Sequence, residues 1–432
     1  MHGADTDTGV QREELLRLIL CQLTEYGYGN LSQAVATHTK VPMTTDSNSR
    51  LAELVALGLR SEQKQAQVHV QGGDGASDNE DGPVTGGGID LNRSTQAQAQ
   101  AQPPAVMPRY NVWYTTKHKG TASAAAFSLD GRYIATGSED TSLKLIEVDR
   151  VRNPSAGVVR REDKPVIRTL YHHDAGITGV AFHPNGLVLA SCSADHSVRL
   201  FDLSAAYGKH SFQSMHDNYA FRAIAFHPSG EYLAAATDAS ELRIFNVRSA
   251  KAYLLRGDAD AHSGSGSSSG AGLTNVAYSA SGALISSASR DGCVRLWDGR
   301  SGTCVRTLAQ AHGGQPVTAT VFSHNTKYVL TAGLDSAARL WDVASGRLVN
   351  TYEGAAMDGL SAQAVFSHDE TLVMAPDARS NSIVCWDAAS AKLLGRGAEH
   401  KDRITCIAPS PTSPAFMSCS VDHSVRYWSP DC

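Results

Sequence analysis

Histidine is the residue type that most invites a chemical reading of this chain. Seventeen of them supply enough imidazole for a metal centre or several general bases. Their spacing argues for a different role. His118, His173 and His400 each stand 22 residues before an aspartate (Asp140, Asp195, Asp422), His312 stands 23 before Asp335, and His262 stands 29 before Asp291. Single His–Asp partners recurring along a chain describe a repeated structural contact, whereas a metal needs three or four ligands gathered at one place. Two more histidines, His183 and His227, precede prolines in turn-like sequences. The eight cysteines (Cys21, Cys192, Cys293, Cys304, Cys385, Cys406, Cys419, Cys432) contain no C-x-x-C pair and sit mostly in apolar runs, as reduced core thiols do. Gly266-Ser267-Ser268-Ser269-Gly270 matches the G-x-S-x-G nucleophile pattern, but that motif needs a strained strand-to-helix turn and this copy lies in a Gly/Ser loop. With no phosphate-binding loop, dinucleotide fingerprint or spaced carboxylate pair, neither catalytic residues, bound metal nor cofactor are expected.

A repeat positions these residues. Trp297-Asp298, Trp341-Asp342 and Trp386-Asp387 end three copies, and Ile146-Glu147, Phe201-Asp202, Phe245-Asn246 and Trp428-Ser429 hold the same place in four others. Successive anchors are 55, 44, 52, 44, 45 and 42 residues apart, which is propeller-blade length for seven units. An aromatic residue, mostly before a turn, recurs at Phe127, Phe182, Phe226, Tyr278, Phe322 and Phe366, at 19 residues from its anchor five times and 20 once. Hairpin-linked strands of fixed register produce such a constant inner block, because a one-residue slip turns core side chains outward. The seventh copy departs, with Ile407-Ala408-Pro409 in place of the aromatic turn and a longer connection at Ser410–Pro414. It also lacks room for an outer strand after Trp428, so the alternating, β-prone segment Tyr110–Thr115 is expected to supply one and close the ring.

Ahead of the repeat, the expected organisation is a helical unit at 1–60 and a flexible linker at 61–109. Leu15, Leu16, Ile19 and Leu23 fall on one helical face, Leu31 and Val35 on a second short helix, and Leu51, Leu54, Val55 and Leu59 on a third. Three helices in about 60 residues bury little core alone, so self-association through these residues is the expectation. No ring occurs between Tyr28 and Tyr110, and Gln71–Gln102 is rich in Gly, Ser, Asp and Gln, too polar to offset its ordering entropy. The island Gly88-Ile89-Asp90-Leu91 interrupts it. No run of 18 apolar residues suggests a signal peptide or membrane span, so the expected compartment is cytosol or nucleus. A formal net charge of −5 does not favour direct binding of a phosphate backbone. Lys119, Arg222, Arg290 and Arg403 fall near turns on one expected propeller face, beside Asp217, Asp291 and Asp402, and make a candidate partner-binding surface.

The His, Asp and Trp anchors, with Ser two residues before Asp (Ser138, Ser193, Ser289, Ser420), resemble the WD-repeat family in all seven copies. That resemblance implies a mainly β, seven-bladed WD40 β-propeller at 110–432, with a hydrogen-bonded His–Ser–Asp–Trp tetrad in its blades. The set is complete for His262, Ser289, Asp291, Trp297 and for His400, Ser420, Asp422, Trp428; Ala239 and Ser380 break it, so blades three and six are expected to be less rigid. Further segments, Pro165–Tyr171, Asp291–Gly299, Ser410–Met417 and the Leu15/Ile19/Leu23 helix, are similar to the WD-repeat subunits of cleavage stimulation factor. This second resemblance implies a non-catalytic nuclear scaffold for pre-mRNA 3′-end cleavage and polyadenylation. It would homodimerise through its N-terminal helices, bind a HAT-repeat subunit through the propeller, and leave RNA to an RRM subunit. The rival is a WD-repeat substrate receptor of a cullin-type ubiquitin ligase, since Ile285–Arg300 approaches the adaptor-binding box; Gly299 stands where that box prefers an apolar residue.

Overall fold

The computed structural model describes residues 107–152, 165–204, 210–256, 272–360 and 362–430. The expected helices at 1–60, most of the expected linker, His262 and the Ser263–Gly270 insert lie outside the described residues. Twenty-eight strands form seven four-stranded antiparallel sheets, one per blade. In blade one, β2 (Ala122–Phe127) lies innermost, followed outward by β3 (Tyr133–Ser138), β4 (Ser142–Glu147) and β5 (Val166–Tyr171). The aromatic anchor ends each innermost strand of blades one to six, as in β6 (Ile177–Phe182), β10 (Phe221–Phe226), β14 (Leu273–Tyr278), β18 (Val317–Phe322) and β22 (Val365–Phe366). Trp or its substitute sits in the third strand, where Ile285 of β15 (Leu284–Ser289) faces Trp297 of β16 (Val294–Asp298).

Blade seven is built from both ends of the repeat. Its order is β1 (Tyr110–Lys117), β28 (Ser424–Pro430), β27 (Phe416–Ser420), β26 (Ile404–Pro409), and Tyr110 pairs with Pro430. Tyr110–Thr115 therefore closes the ring as its alternation suggests. Just before it, Met107 lies against Gly395 and Gly397 of β25 (Leu393–Gly397), in space a Cβ at either glycine would fill.

The core lies between blades. Each apolar cluster draws on two neighbours: Phe221 and Phe245 meet Leu200 and Met215, Trp386 and Phe366 meet Tyr352 and Leu340, and Ile134 and Ile146 meet Met417 and Tyr427 across the closure. Alternating strand residues supply both faces of every sheet, so each blade seals the next. At one end of the ring, hairpin turns interlock. The His183 ring occupies the place of a Cβ at Gly230 and meets Phe226 edge-on at 5.1 Å, while His227 does the same against Gly282 and Tyr278 at 5.2 Å. Gly230 and Gly282 also hold φ of +78° and +74°, so side chains there would be both strained and crowded. One short helix, α1 (Val148–Arg152), was not foreshadowed. It buries Val148 and Val151 against blade seven, and Arg152 donates to the Tyr427 hydroxyl at 3.2 Å.

Candidate functional site

The opposite end of the ring carries the His–Asp contacts. In blade seven, Trp428 Nε1–H donates to Ser418 Oγ at 2.7 Å, Ser418 Oγ lies 2.6 Å from His400 Nε2, and His400 Nδ1 lies 3.3 Å from Asp422. Blade five repeats it through Trp341, Thr331 Oγ1 at 3.0 Å, His312 at 2.9 Å and Asp335 at 2.8 Å. Indole N–H can only donate, so in blade seven the Ser418 hydroxyl is left to give its own proton to His400 Nε2, and Nδ1–H then points at the carboxylate. The network closes with a neutral imidazole. Burial first, then the Lys144 or Arg426 charge, pushes His118 and His400 down to about 4; burial lowers His173 and His312 as well.

The hydroxyl in this network differs from the expected one by two residues. Thr136, Ser191, Thr331 and Ser418 meet the histidines, and Trp297 donates to Ser287 at 2.9 Å. The expected Ser138, Ser193, Ser289 and Ser420 tie the turn beside the aspartate instead. Ser193 donates to the Gly176 carbonyl at 2.9 Å, Ser420 to the Asp402 carbonyl at 3.0 Å, and Ser138 and Ser289 accept from the Asp140 and Asp291 N–H groups. Residues i and i+2 share one strand face, so spacing alone cannot choose between them. His118 reaches Asp140 only loosely, at 3.8 Å, with Ser142 interposed at 2.7 Å.

Blades three and six replace the network rather than lose it. Blade three has Asp217 where others have His, and it pairs with the nearly buried Arg243 guanidinium; Ala235 and Phe245 stand where hydroxyl and indole would be. In blade six the register puts Ala375 at the hydroxyl position, so Trp386 Nε1–H donates to the Glu353 carbonyl at 2.9 Å, and buried Asp377 takes the Ala356 N–H at 2.9 Å. Ala239 and Ser380 do break the set, and each of these blades keeps a buried carboxylate contact through other residues.

At this same end the channel opens into a cavity of about 510 Å³ whose lining includes Glu139, Arg222, Arg290, Leu360, Gln363 and Arg403. Six of the innermost strands start here. Their second residues are Ser123, Thr178, Arg222, Thr274, Thr318 and Thr405, at or beside register shifts, with Gln363 in the corresponding place of blade six. Four of the hydroxyls stitch one blade to the next: Ser123 donates to the Ile177 carbonyl, Thr178 to Phe221 at 2.8 Å, Thr274 to Val317 at 2.6 Å and Thr405 to Ala122 at 2.5 Å. Thr318 turns to the Ala332 carbonyl at 3.2 Å. The stitching is thus interrupted at Arg222 in blade three, at Thr318 in blade five and at Gln363 in blade six.

Three of the four expected surface cations therefore converge. Arg222 holds Asp238 with two parallel bonds of 2.8 and 2.7 Å, Arg290 reaches the same carboxylate at 3.0 Å, and Arg403 donates to the Asp358 carbonyl at 2.9 Å. Burial would raise the Asp238 carboxyl, but the two guanidinium groups outweigh it and hold it below the usual range. Lys119 is exposed and does not line the cavity; its N–H caps Asp140 at 2.6 Å. Spacing gave no sign of Asp238, because its partners come from two different blades. Among the described residues no three His, Cys, Asp or Glu side chains gather as a metal cluster, and no helix is long and apolar enough to cross a membrane. A second cavity, of about 770 Å³, opens at the other end between blades three and four, beside Tyr232, Tyr253, Tyr278 and the exposed Arg300.

Comparison with known proteins bears on what this platform serves. The WD domain, G-beta repeat family matches residues 111–147, 164–202 and 392–429, and the Nucleolar protein 10-like, N-terminal domain family matches 214–384. Cleavage stimulation factor subunit 50 of Arabidopsis thaliana is 34% identical over 99% of this chain and 99% of its own length. Nuclear distribution protein nudF of Aspergillus terreus is 36% identical, but over 22% of this chain and 19% of its own. Among solved structures, the β-propeller domain of Cps50 (Swd1) from Myceliophteria thermophila superposes with a TM-score of 0.61, at 17% identity, over 74% of this chain and all of its own. That last likeness concerns the fold alone.

Proposed function

The chain belongs to the family of cleavage stimulation factor subunit 50, and from that membership we propose a non-catalytic scaffold of pre-mRNA 3′-end cleavage and polyadenylation that works in the nucleus. The observation carrying it is a relation that runs end to end rather than through WD repeats alone, at 34% identity over 99% of both chains. Residues 1–60 join two copies, the propeller binds a HAT-repeat subunit, and an RRM subunit of the same complex holds the RNA. The charge balance supports this division of labour, since a chain of net charge −5 lacks the field that gathers phosphates. The docking face is the channel mouth, where Arg222, Arg290 and Arg403 meet in a concave site.

Affinity purification of the full chain from nuclear extract tests the reading. Recovery of a HAT-repeat protein and an RRM protein is expected. Recovery instead of a cullin adaptor, lost on Arg300→Ala, would transfer the chain to the ubiquitin-ligase class. Arg300 sits exposed in the turn after β16, at the end of the ring away from the arginine cluster.

A further inference from the structure

We propose that the channel mouth recognises one carboxylate side chain on an extended segment of a protein partner, an inference that deepens the docking role given above. The ring of hydroxyls cannot serve as the donor set, because Ser123, Thr178, Thr274, Thr318 and Thr405 all direct their protons to backbone carbonyls. The donors left to face an occupant belong to the guanidinium groups. Arg222 and Arg290 share Asp238 and keep further N–H groups, and Arg290 Nε is buried with no hydrogen-bond partner among the described residues. A buried donor of this kind is unfavourable until something accepts from it.

Charge selects the class of acceptor. Arg222, Arg290 and Arg403 set against Asp238 and Glu139 leave one net positive charge at the cavity, which a carboxylate neutralises. A phosphate dianion would overshoot and face Glu139 and Asp238 in a partly desolvated site. Beyond the mouth several arginines are already paired, Arg243 with Asp217, Arg295 with Asp291 at 2.9 Å, and Arg339 with Asp335. A volume of about 510 Å³ admits a few side chains and no folded domain. Exposed Leu360 and half-buried Gln363 on the wall offer an apolar and an amide contact for the neighbours of that carboxylate. Guanidinium groups in a concave, partly dry site are also the kind of residue on which binding energy concentrates.

The test uses the full chain and arrays of hexapeptides, each with one fixed central residue among uncharged random neighbours. Asp and Glu pools should bind at least tenfold more tightly than Asn and Gln pools. Arg290→Gln and Arg222→Gln should abolish the difference, while Arg248→Gln in the turn after β12 (Leu242–Asn246), at the opposite end, keeps it. Melting curves identify any variant that fails to fold. Should Arg222→Gln be one, Arg403→Gln carries the test, since its guanidinium holds only the Asp358 carbonyl. Equal binding of Glu and Gln pools, preference for Lys pools, or stronger binding of phosphoserine pools with competition by inorganic phosphate would each overturn the proposal. Retention of the HAT-repeat partner by Arg290→Gln in affinity purification leaves the scaffold reading standing even if the carboxylate site falls.

Discussion

Ser418 accepts from Trp428 and donates to His400, so two buried groups depend on one hydroxyl. Ser418→Ala strands both and should cost about 2–4 kcal/mol, since each unsatisfied buried group costs about 1–3 kcal/mol. Ser420→Ala loses a bond to the Asp402 carbonyl and one from the Asp422 N–H, both in a turn at the ring's end, and should cost about 1 kcal/mol. Urea denaturation of the two variants separates them; equal losses would move the network back to Ser420. The same histidines fix the response to acid. His118 and His400 titrate near 4 in the fold against about 6.5 in the unfolded chain, so the unfolded state takes up protons first as pH falls. Their stabilisation is complete above about pH 6.5 and declines from there toward 4. Asp140 and Asp195 add a later loss. Burial would raise both, but hydrogen bonds from Ser142 and the Lys119 N–H, and from Ser197 and His173, bring them to about 2, so theirs declines between about 4 and 2. The melting temperature should therefore begin to fall below about pH 6.5, well before carboxylates titrate, and His400→Gln should flatten that first limb. A curve that stays level down to pH 4.5 would contradict the neutral, buried imidazoles.

Strand-level features divide sharply into those spacing reveals and those it hides. The 19-residue distance from aromatic to Trp position was legible because register locks it: Phe127 to Ile146 and Phe322 to Trp341 span two hairpin-linked strands of fixed pairing. The closing strand was legible for a similar reason, since blade seven ran out of sequence. Which of two hydroxyls meets the imidazole was hidden, because the side-chain period along a strand is two. Also hidden were α1, whose five residues show only two buried apolar positions, and Asp238, whose partners Arg222 and Arg290 come from adjacent blades. Met107 belongs to this scale too. Gly397→Val would place a branched side chain where Met107 Cε now lies 2.9 Å from an ideal Cβ, and should lower stability by about 1–3 kcal/mol through overpacking. Pairing that substitution with Met107→Ala should recover part of the loss in thermal melts; no recovery would mean the clash lies elsewhere.

At the scale of the whole molecule, apolar clusters between neighbouring blades make stability a property of the closed ring. A chain beginning at residue 107 keeps β1 and should melt near the full-length temperature, whereas one beginning at 118 loses it and exposes the β28 edge. The second chain should aggregate or melt at least 10 °C lower by scanning calorimetry. Light scattering on the first and on the full chain also tests the proposed self-association: the full chain should give a dimer's mass, and removal of residues 1–106 should yield a monomer. Joined propellers would offer two channel mouths, and a partner with two binding segments would gain effective concentration at the second.

The pairing of Tyr110 with Pro430 also sets a schedule for biosynthesis. The strand that completes blade seven leaves the ribosome first among the propeller's strands, and its partner leaves last, some 320 residues later. At about 5–20 residues per second, β1 waits unpaired for roughly 15 seconds to a minute while six blades emerge. A stop before β28 (Ser424–Pro430) thus removes more than one strand. It leaves two unmated edges, those of β1 and β27, on an otherwise finished nascent propeller, open to pairing with another chain.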